Sequence, residues 1–174
     1  MNLIVDIETT GLPANFKGKY TDLKVYNPSR IVQLSFIKTD FKDFYKEYDY
    51  IIKRDGFEIT NSHIHGITNE ISDKEGVEIE MALRDFLEAA RNTTIYTHNA
   101  NFDITIIKSE LYRYDMRIPP LNVVCTMLKY TKPNQKYVKL IDLYSETMGK
   151  TTKQTHNALD DCKMLYDILR TKNI

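Results

Sequence analysis

Three short stretches of the chain carry acids and a histidine at spacings that could do chemistry: Val5-Asp6-Ile7-Glu8-Thr9-Thr10-Gly11-Leu12, His98-Asn99-Ala100-Asn101-Phe102-Asp103 and His156-Asn157-Ala158-Leu159-Asp160-Asp161. Carboxylates brought together repel one another and resist desolvation unless cations neutralise them. Four converging acids, Asp6, Glu8, Asp103 and Asp161, would hold two divalent cations. A histidine titrates near neutrality, so His156 suits the general base that activates water. Together these groups are the equipment of metal-dependent nuclease chemistry.

Local geometry sharpens each stretch. In a strand alternate side chains share a face, so Asp6 and Glu8 project together with Cα atoms about 6.5 to 7 Å apart, and Leu3, Val5 and Ile7 take the other face. The same spacing also fits an exposed strand end running into a turn at Gly11. In a helix each residue rotates by roughly 100°. Taking Asp161 as the origin, Ala158, Leu165, Ile168 and Leu169 fall on its side, while Asp160, Lys163, Asp167 and Arg170 gather on the polar side. Asp161 is thus an acid inside an apolar stripe, and its neighbour Asp160 is the natural control. Around Asp103 the wheel collects Ile104, Ile106, Ile107, Leu111 and Tyr114. Glu110 shares that face, but lies about 10 Å further along the axis and is expected near the helix's other end. Acids in first turns also serve as caps or complements of the helix dipole, the alternative for both aspartates. His63, His65 and His98 are rivals to His156, with His98 placed to support the loop before Asp103.

The elements that must position these groups can be read coarsely. Residues 3–7, 31–37 and 48–52 read as three sequential strands, predicted antiparallel, with short strands at 94–97 and 121–125. Apolar spacing predicts helices over 78–91, 101–114, 138–148 and 157–170, with Pro119-Pro120 stopping the second. Strands flanked by helices on both faces make a three-layer α/β sandwich.

Bulk properties set the frame. The 174 residues fit one domain, residues 1–174, able to bury a core without disulfides or a structural metal. With 24 basic and 24 acidic residues the chain lacks an overall positive field, so any nucleic acid must be gripped locally. Cys125 and Cys162 stand far apart with no zinc-type spacing, which fits reduced thiols in a cytosol. No basic leader precedes an apolar core and no apolar run spans a bilayer, so the expectation is a soluble cytoplasmic protein with no membrane partner.

The combination D-I-E-T-T-G-L, H-N-A-N-F-D and H-N-A-L-D-D resembles the DEDDh family of 3′-to-5′ exonucleases, to whose superfamily proofreading subunits of DNA polymerases and oligoribonuclease belong. The likeness runs from Leu3 almost to the C-terminus and includes Arg30-Ile31-Val32-Gln33-Leu34, His65-Gly66-Ile67-Thr68 and Lys139-Leu140-Ile141-Asp142-Leu143. The resemblance implies a ribonuclease-H-like fold, a mixed five-stranded sheet whose first three strands are antiparallel, with helices on both faces. It implies that Asp6 bridges two metals, Mg²⁺ or Mn²⁺, that Glu8 and Asp161 hold the first, and that Asp103 reaches the second through water, while His156 deprotonates the attacking water. Thr9, Thr10, Gly11 and Leu12 would form the pocket for the terminal nucleotide, Leu12 as a wedge, with His98, Asn99 and Phe102 as further substrate contacts. For Leu12 and Phe102 plain packing is the alternative. The implied partners are the 3′ ends of single-stranded DNA or RNA, and a polymerase or other replication or repair protein. A catalytically idle binding module using the same cleft is the competing function.

Substrate choice is less legible. Lysines 129, 132, 136, 139, 150 and 153 lie together in the sequence and either steer phosphates or form a solvated face. Twelve tyrosines offer stacking surfaces, but composition identifies no platform. Residues 13–28, a long connection with Phe16, Lys17, Lys19, Tyr20, Lys24 and Tyr26, are the first candidate for substrate selection.

Overall fold

A computed structural model describes residues 1–174. Five strands, β1 (Asn2–Thr9), β2 (Ile31–Thr39), β3 (Tyr45–Ile51), β4 (Thr94–Thr97) and β5 (Asn122–Cys125), form one sheet in the order β3-β2-β1-β4-β5. The β1–β2 and β2–β3 pairs are antiparallel, and β1–β4 and β4–β5 are parallel. Eight helices complete the fold: α1 (Leu23–Tyr26), α2 (Ser62–His65), α3 (Asn69–Glu75), α4 (Ile79–Ala90), α5 (Ala100–Arg113), α6 (Thr126–Tyr130), α7 (Leu140–Met148) and α8 (Ala158–Thr171). This is the mixed five-stranded α/β sandwich of the ribonuclease-H type.

Alternation along β1 separates the two main clusters of the core. Leu3, Val5 and Ile7 face the larger cluster, with Leu34 and Phe36 of β2, Leu83 and Phe86 of α4, and Ile106 and Ile107 of α5. Ile4 faces the smaller one, with Leu143 of α7 and Cys162, Leu165, Ile168 and Leu169 of α8. Each fully buried aliphatic side chain contributes roughly 1.5–3 kcal/mol by leaving water. Asp6 and Glu8 continue the Ile4 face, so the periodicity that builds the core also points both acids toward α7 and α8.

Helix α8 follows the expected wheel: Ala158, Leu165, Ile168 and Leu169 are buried, and Asp161 is buried beside them. Its start is fixed twice. Asn157 accepts from the backbone N–H groups of Leu159 and Asp160 at 3.1 and 3.2 Å, a side-chain cap. Gln33 of β2 accepts from the Ala158 N–H at 3.1 Å and donates to Asp49 of β3 at 2.8 Å, which ties the end of α8 to the sheet.

The structure departs from expectation in three places. The four short helices α1, α2, α3 and α6 carry too few residues for a visible period. Strand β3 begins at Tyr45 rather than 48, because its first residues pair with β2 while remaining exposed and polar. The helix expected from residue 138 starts at Leu140: the Val138 N–H donates to Thr131 Oγ1 at 3.0 Å and its carbonyl accepts from His98 Nε2 at 2.9 Å, so its backbone is held outside the helix. Residues 13–28 are anchored rather than free. Tyr26 is buried and donates its hydroxyl to the Gly18 carbonyl at 2.6 Å, and the Ala14 N–H donates to the Val25 carbonyl at 2.9 Å.

Candidate metal centre and active site

The C-terminal half of β1 meets the first turns of α5 and α8. One carboxylate oxygen each from Asp6, Glu8 and Asp161 lies within 4.8 Å of the others, although Asp161 is 153 residues beyond Glu8 in sequence. Asp103, 3 % exposed in the first turn of α5, stands beside this trio, with its Oδ2 accepting the Thr97 hydroxyl at 2.8 Å. Asp161 Oδ2 accepts from Gln154 Nε2 at 2.6 Å, whereas its Oδ1 is buried with no partner.

The electrostatics follow from this crowding. Burial first, then the charges of Asp103, Asp161 and Glu8, raises the Asp6 carboxyl well above the ordinary range. Glu8 is pushed up to about 8 by burial and then by Asp161 and Asp103. Burial takes Asp103 to about 7 against the opposing hydrogen bond from Thr97. Asp161 is also raised by burial, opposed by Gln154 and by His156. None of the seven ion pairs in the molecule includes any of the four acids. A cluster of oxygen donors without a protein counter-charge, one oxygen unpartnered, fits hard divalent cations of the Mg²⁺ or Mn²⁺ class.

Asp160 shows what the helix phase decides. It accepts the Thr155 hydroxyl at 2.7 Å and lies outside the trio, on the half-exposed side of α8. Glu110, the other acid on the α5 stripe, is at the far end as expected: fully buried, it accepts from Arg30 Nε at 2.6 Å and pairs with Arg113 at 3.5 Å.

The remaining predicted residues divide into open and engaged groups. His156 is exposed in a left-handed conformation (φ 53°) just before α8, near enough for its charge to act on Asp161. Leu12 is 65 % exposed and belongs to no apolar cluster, which removes the packing alternative for it. Phe102 is partly buried against the larger cluster, so packing accounts for much of its surface. Thr9 and Thr10 are tied down: the Thr9 hydroxyl donates to the Gly11 carbonyl at 2.8 Å, and the Thr10 hydroxyl donates to the Pro28 carbonyl at 3.0 Å. Gly11 has φ 153°, and a Cβ there would lie 3.2 Å from the Pro28 carbonyl oxygen, so glycine lets this turn close on residue 28. Asn99 is left-handed at the start of α5, and its side chain makes no cap bond. Both ring nitrogens of His98 are occupied, Nδ1 by the Thr126 hydroxyl at 3.0 Å and Nε2 by the Val138 carbonyl. That geometry makes His98 a support for the surrounding loops; its polar atoms are not free for a substrate contact.

Sequence reasoning missed several supports. Gln154 and Thr97 orient two of the acids, and neither belongs to a periodic pattern or a charged motif. Asn61 donates to the Thr9 carbonyl at 2.9 Å and accepts from His65 Nε2 at 3.2 Å, so the rival His65 braces the turn after β1. The segment containing His65 and Gly66 was legible, but its contact with Thr9 was not.

Comparison with known proteins bears on the fold and the family. The chain is 29 % identical over 137 residues to the DNA polymerase III subunit epsilon of Buchnera aphidicola subsp. Schizaphis graminum, an alignment covering 77 % of this chain and 55 % of that protein. It is 28 % identical over 171 residues to the PolC-type DNA polymerase III of Thermotoga petrophila, covering 95 % of this chain and 11 % of that one. The chain therefore corresponds to a part of each. Among solved structures, the nuclease domain of 3′hExo, a DEDDh family member bound to rAMP, superposes with a TM-score of 0.73 at 14 % identity, covering 97 % of this chain and 88 % of the other. Exonuclease X in complex with 5′ overhanging duplex DNA gives 0.63 at 23 % identity, covering 100 % and 94 %. These likenesses establish the fold. The family model described as Exonuclease (RNase_T) matches residues 3–169, nearly the whole chain and all three acidic stretches, and the chain belongs to that exonuclease family.

Proposed function

We propose that this chain is a two-metal-dependent 3′-to-5′ exonuclease that releases nucleoside 5′-monophosphates from the 3′ end of single-stranded DNA or RNA. The observation that carries this reading is the meeting of Asp6, Glu8 and Asp161 within 4.8 Å, with a buried Asp161 oxygen left unpartnered and no cationic side chain paired to the group. Asp6, Glu8 and Asp161 would hold the cations, with Asp103 beside them completing the set of acids. When bound, two divalent cations stabilise both the attacking and the departing oxygen of a displacement at phosphorus.

The chain's own residues supply the rest. His156, open at the mouth of the cluster, takes a proton from the water that attacks phosphorus. A new P–O bond forms to that water, the bond from phosphorus to the 3′ oxygen of the upstream nucleotide breaks, and that oxygen takes a proton from solvent and stays on the strand as its 3′-hydroxyl. Thr97 and Gln154 fix the orientations of Asp103 and Asp161, so little reorganisation is needed when charge develops. Residues 9–12, tied to residue 28, form the wall for the terminal nucleoside, with Leu12 free to wedge against its base and Asn99 and Phe102 on the α5 side. Relatives named as polymerase III subunits support an association with a polymerase, and a cytoplasmic location goes with that reading. No helix of the chain is long and apolar enough to cross a membrane.

With Mg²⁺ or Mn²⁺ the purified protein should shorten a 5′-labelled single strand one nucleotide at a time, and Asp6→Ala should not. Products of scattered length from an end-blocked strand would overturn the exonuclease reading.

A further inference from the structure

Two large side chains are exposed to the same high degree, Leu12 and Tyr137, each at 65 %. They flank the acidic cluster from opposite sides of β1. The turn carrying Leu12 is bound to residues 28–30, ahead of β2, while Tyr137 adjoins Val138, which is bound to His98 at the end of β4. Tyr137 lines a cavity of about 380 Å³ together with Asp6, Asp161, Asn99, Lys139 and Gln154.

Among the twelve tyrosines, Tyr137 stands alone. Tyr26, Tyr96 and Tyr144 are buried. Tyr20 and Tyr112 pack on each other, Tyr48 stacks on Phe36, and Tyr45 meets Tyr166. Tyr50 donates to Asp85, Tyr114 donates to Asp55, and Tyr130 carries Lys129 and Lys172 over its ring. The Tyr137 ring has no hydrogen bond, no aromatic neighbour and no cation above it, yet its backbone is steadied by Val138, whose N–H and carbonyl are both fixed. A bare aromatic face on an anchored backbone is pre-organised for stacking.

The lysine run sorts in the same way. Lys132 pairs with Glu146 at 3.8 Å, and Lys129 and Lys150 lie over the rings of Tyr130 and Tyr144. Lys136, Lys139 and Lys153 are exposed and have no acidic partner, and the first two lie on either side of Tyr137 and Val138.

We propose that Tyr137 is the stacking platform for the base on the 5′ side of the scissile bond, with Lys139 and Lys136 meeting the phosphates of the upstream strand. The terminal nucleoside then lies on the Leu12 side of the acids and its neighbour on the Tyr137 side. This inference rests on the exonuclease reading above, and the test separates the two.

Single strands carrying 2-aminopurine at the terminal, penultimate or fifth nucleotide from the 3′ end are bound in Ca²⁺, which replaces the catalytic ion. Stacking should quench the penultimate probe most, and Tyr137→Ala should relieve that quench while Tyr137→Phe keeps it. With Mg²⁺, the ratio of kcat/KM for a single strand to that for the p-nitrophenyl ester of thymidine 5′-monophosphate, which has no upstream base, should fall about 5- to 150-fold in Tyr137→Ala. Lys139→Ala should lower the slope of log KM against log salt by about 0.7. An unchanged quench or an unchanged ratio in Tyr137→Ala overturns the platform. If the parent protein hydrolyses neither substrate, the exonuclease reading itself fails and takes the platform with it.

Discussion

Two regions of this molecule bury carboxylates, and they treat the charge in opposite ways. At one end of α5, Glu110 has lost all contact with solvent but is held by Arg30 at 2.6 Å and Arg113 at 3.5 Å, with Tyr114 donating to Asp55 and accepting from Arg30 alongside. At the other end, Asp103 joins Asp6, Glu8 and Asp161, where no arginine or lysine is paired; burial raises every acid, and repulsion within the group adds to it at Asp6, Glu8 and Asp103. The protein neutralises the first group internally and gives the second no counter-charge of its own, which is the condition the proposed cation site requires. A buried acid with a fitted arginine is architecture, and the buried acids without one are the site proposed to take a cation.

Breaking the second region gives the largest effect. Asp6→Ala removes the carboxylate at the centre of the cluster, so both strand shortening and Mn²⁺ binding, measured by calorimetry, should be lost. Next comes His156→Ala, which should lower turnover about 10²- to 10⁴-fold while Mn²⁺ binding stays near that of the parent. A parallel loss of Mn²⁺ binding would move His156 from base to ligand.

The first region is tested through stability. Arg30→Ala leaves Glu110 buried against a single, longer contact and should cost about 3–5 kcal/mol in denaturant unfolding, with Mn²⁺ affinity unaffected. If Mn²⁺ affinity fell with stability, the two ends of α5 would be coupled and the contrast between them would fail.

Acidity sharpens the comparison further. Glu8 at about 8 and Asp103 at about 7 hold protons that the unfolded chain releases near pH 4. Over that interval the folded state binds more protons, so stability of the cation-free protein should fall as pH rises from about 4 to about 8 and then level off. Mn²⁺ binds the ionised form and should reverse the fall. Glu8→Gln should flatten the cation-free profile and reduce the gain from Mn²⁺, read as Tm in EDTA and in Mn²⁺ across pH 5–8. The smallest effect belongs to Asp160→Ala, which should alter stability by no more than about 0.5 kcal/mol and leave turnover unchanged. A loss equal to that of Asp161→Ala would show that the two faces of α8 are not distinct.

What the sequence determined is what depends on a single element. Period two along β1 placed Asp6 and Glu8 on one face, and the rotation of α8 separated Asp161 from Asp160, because within one strand or helix the backbone dictates direction without reference to the rest of the chain. The order of strands and long helices was legible for the same reason. Tertiary structure alone decided which acids are left without a partner. Glu110 and Asp103 share one helical stripe, and only the arrival of Arg30, 80 residues away, makes one an ion pair while the other remains open to a cation. It also decided that Gln154 would hold Asp161, that His98 would spend both nitrogens on neighbouring loops, and that one tyrosine of twelve would be left bare. Such outcomes depend on which distant segments the sheet order brings together, and no local period encodes them.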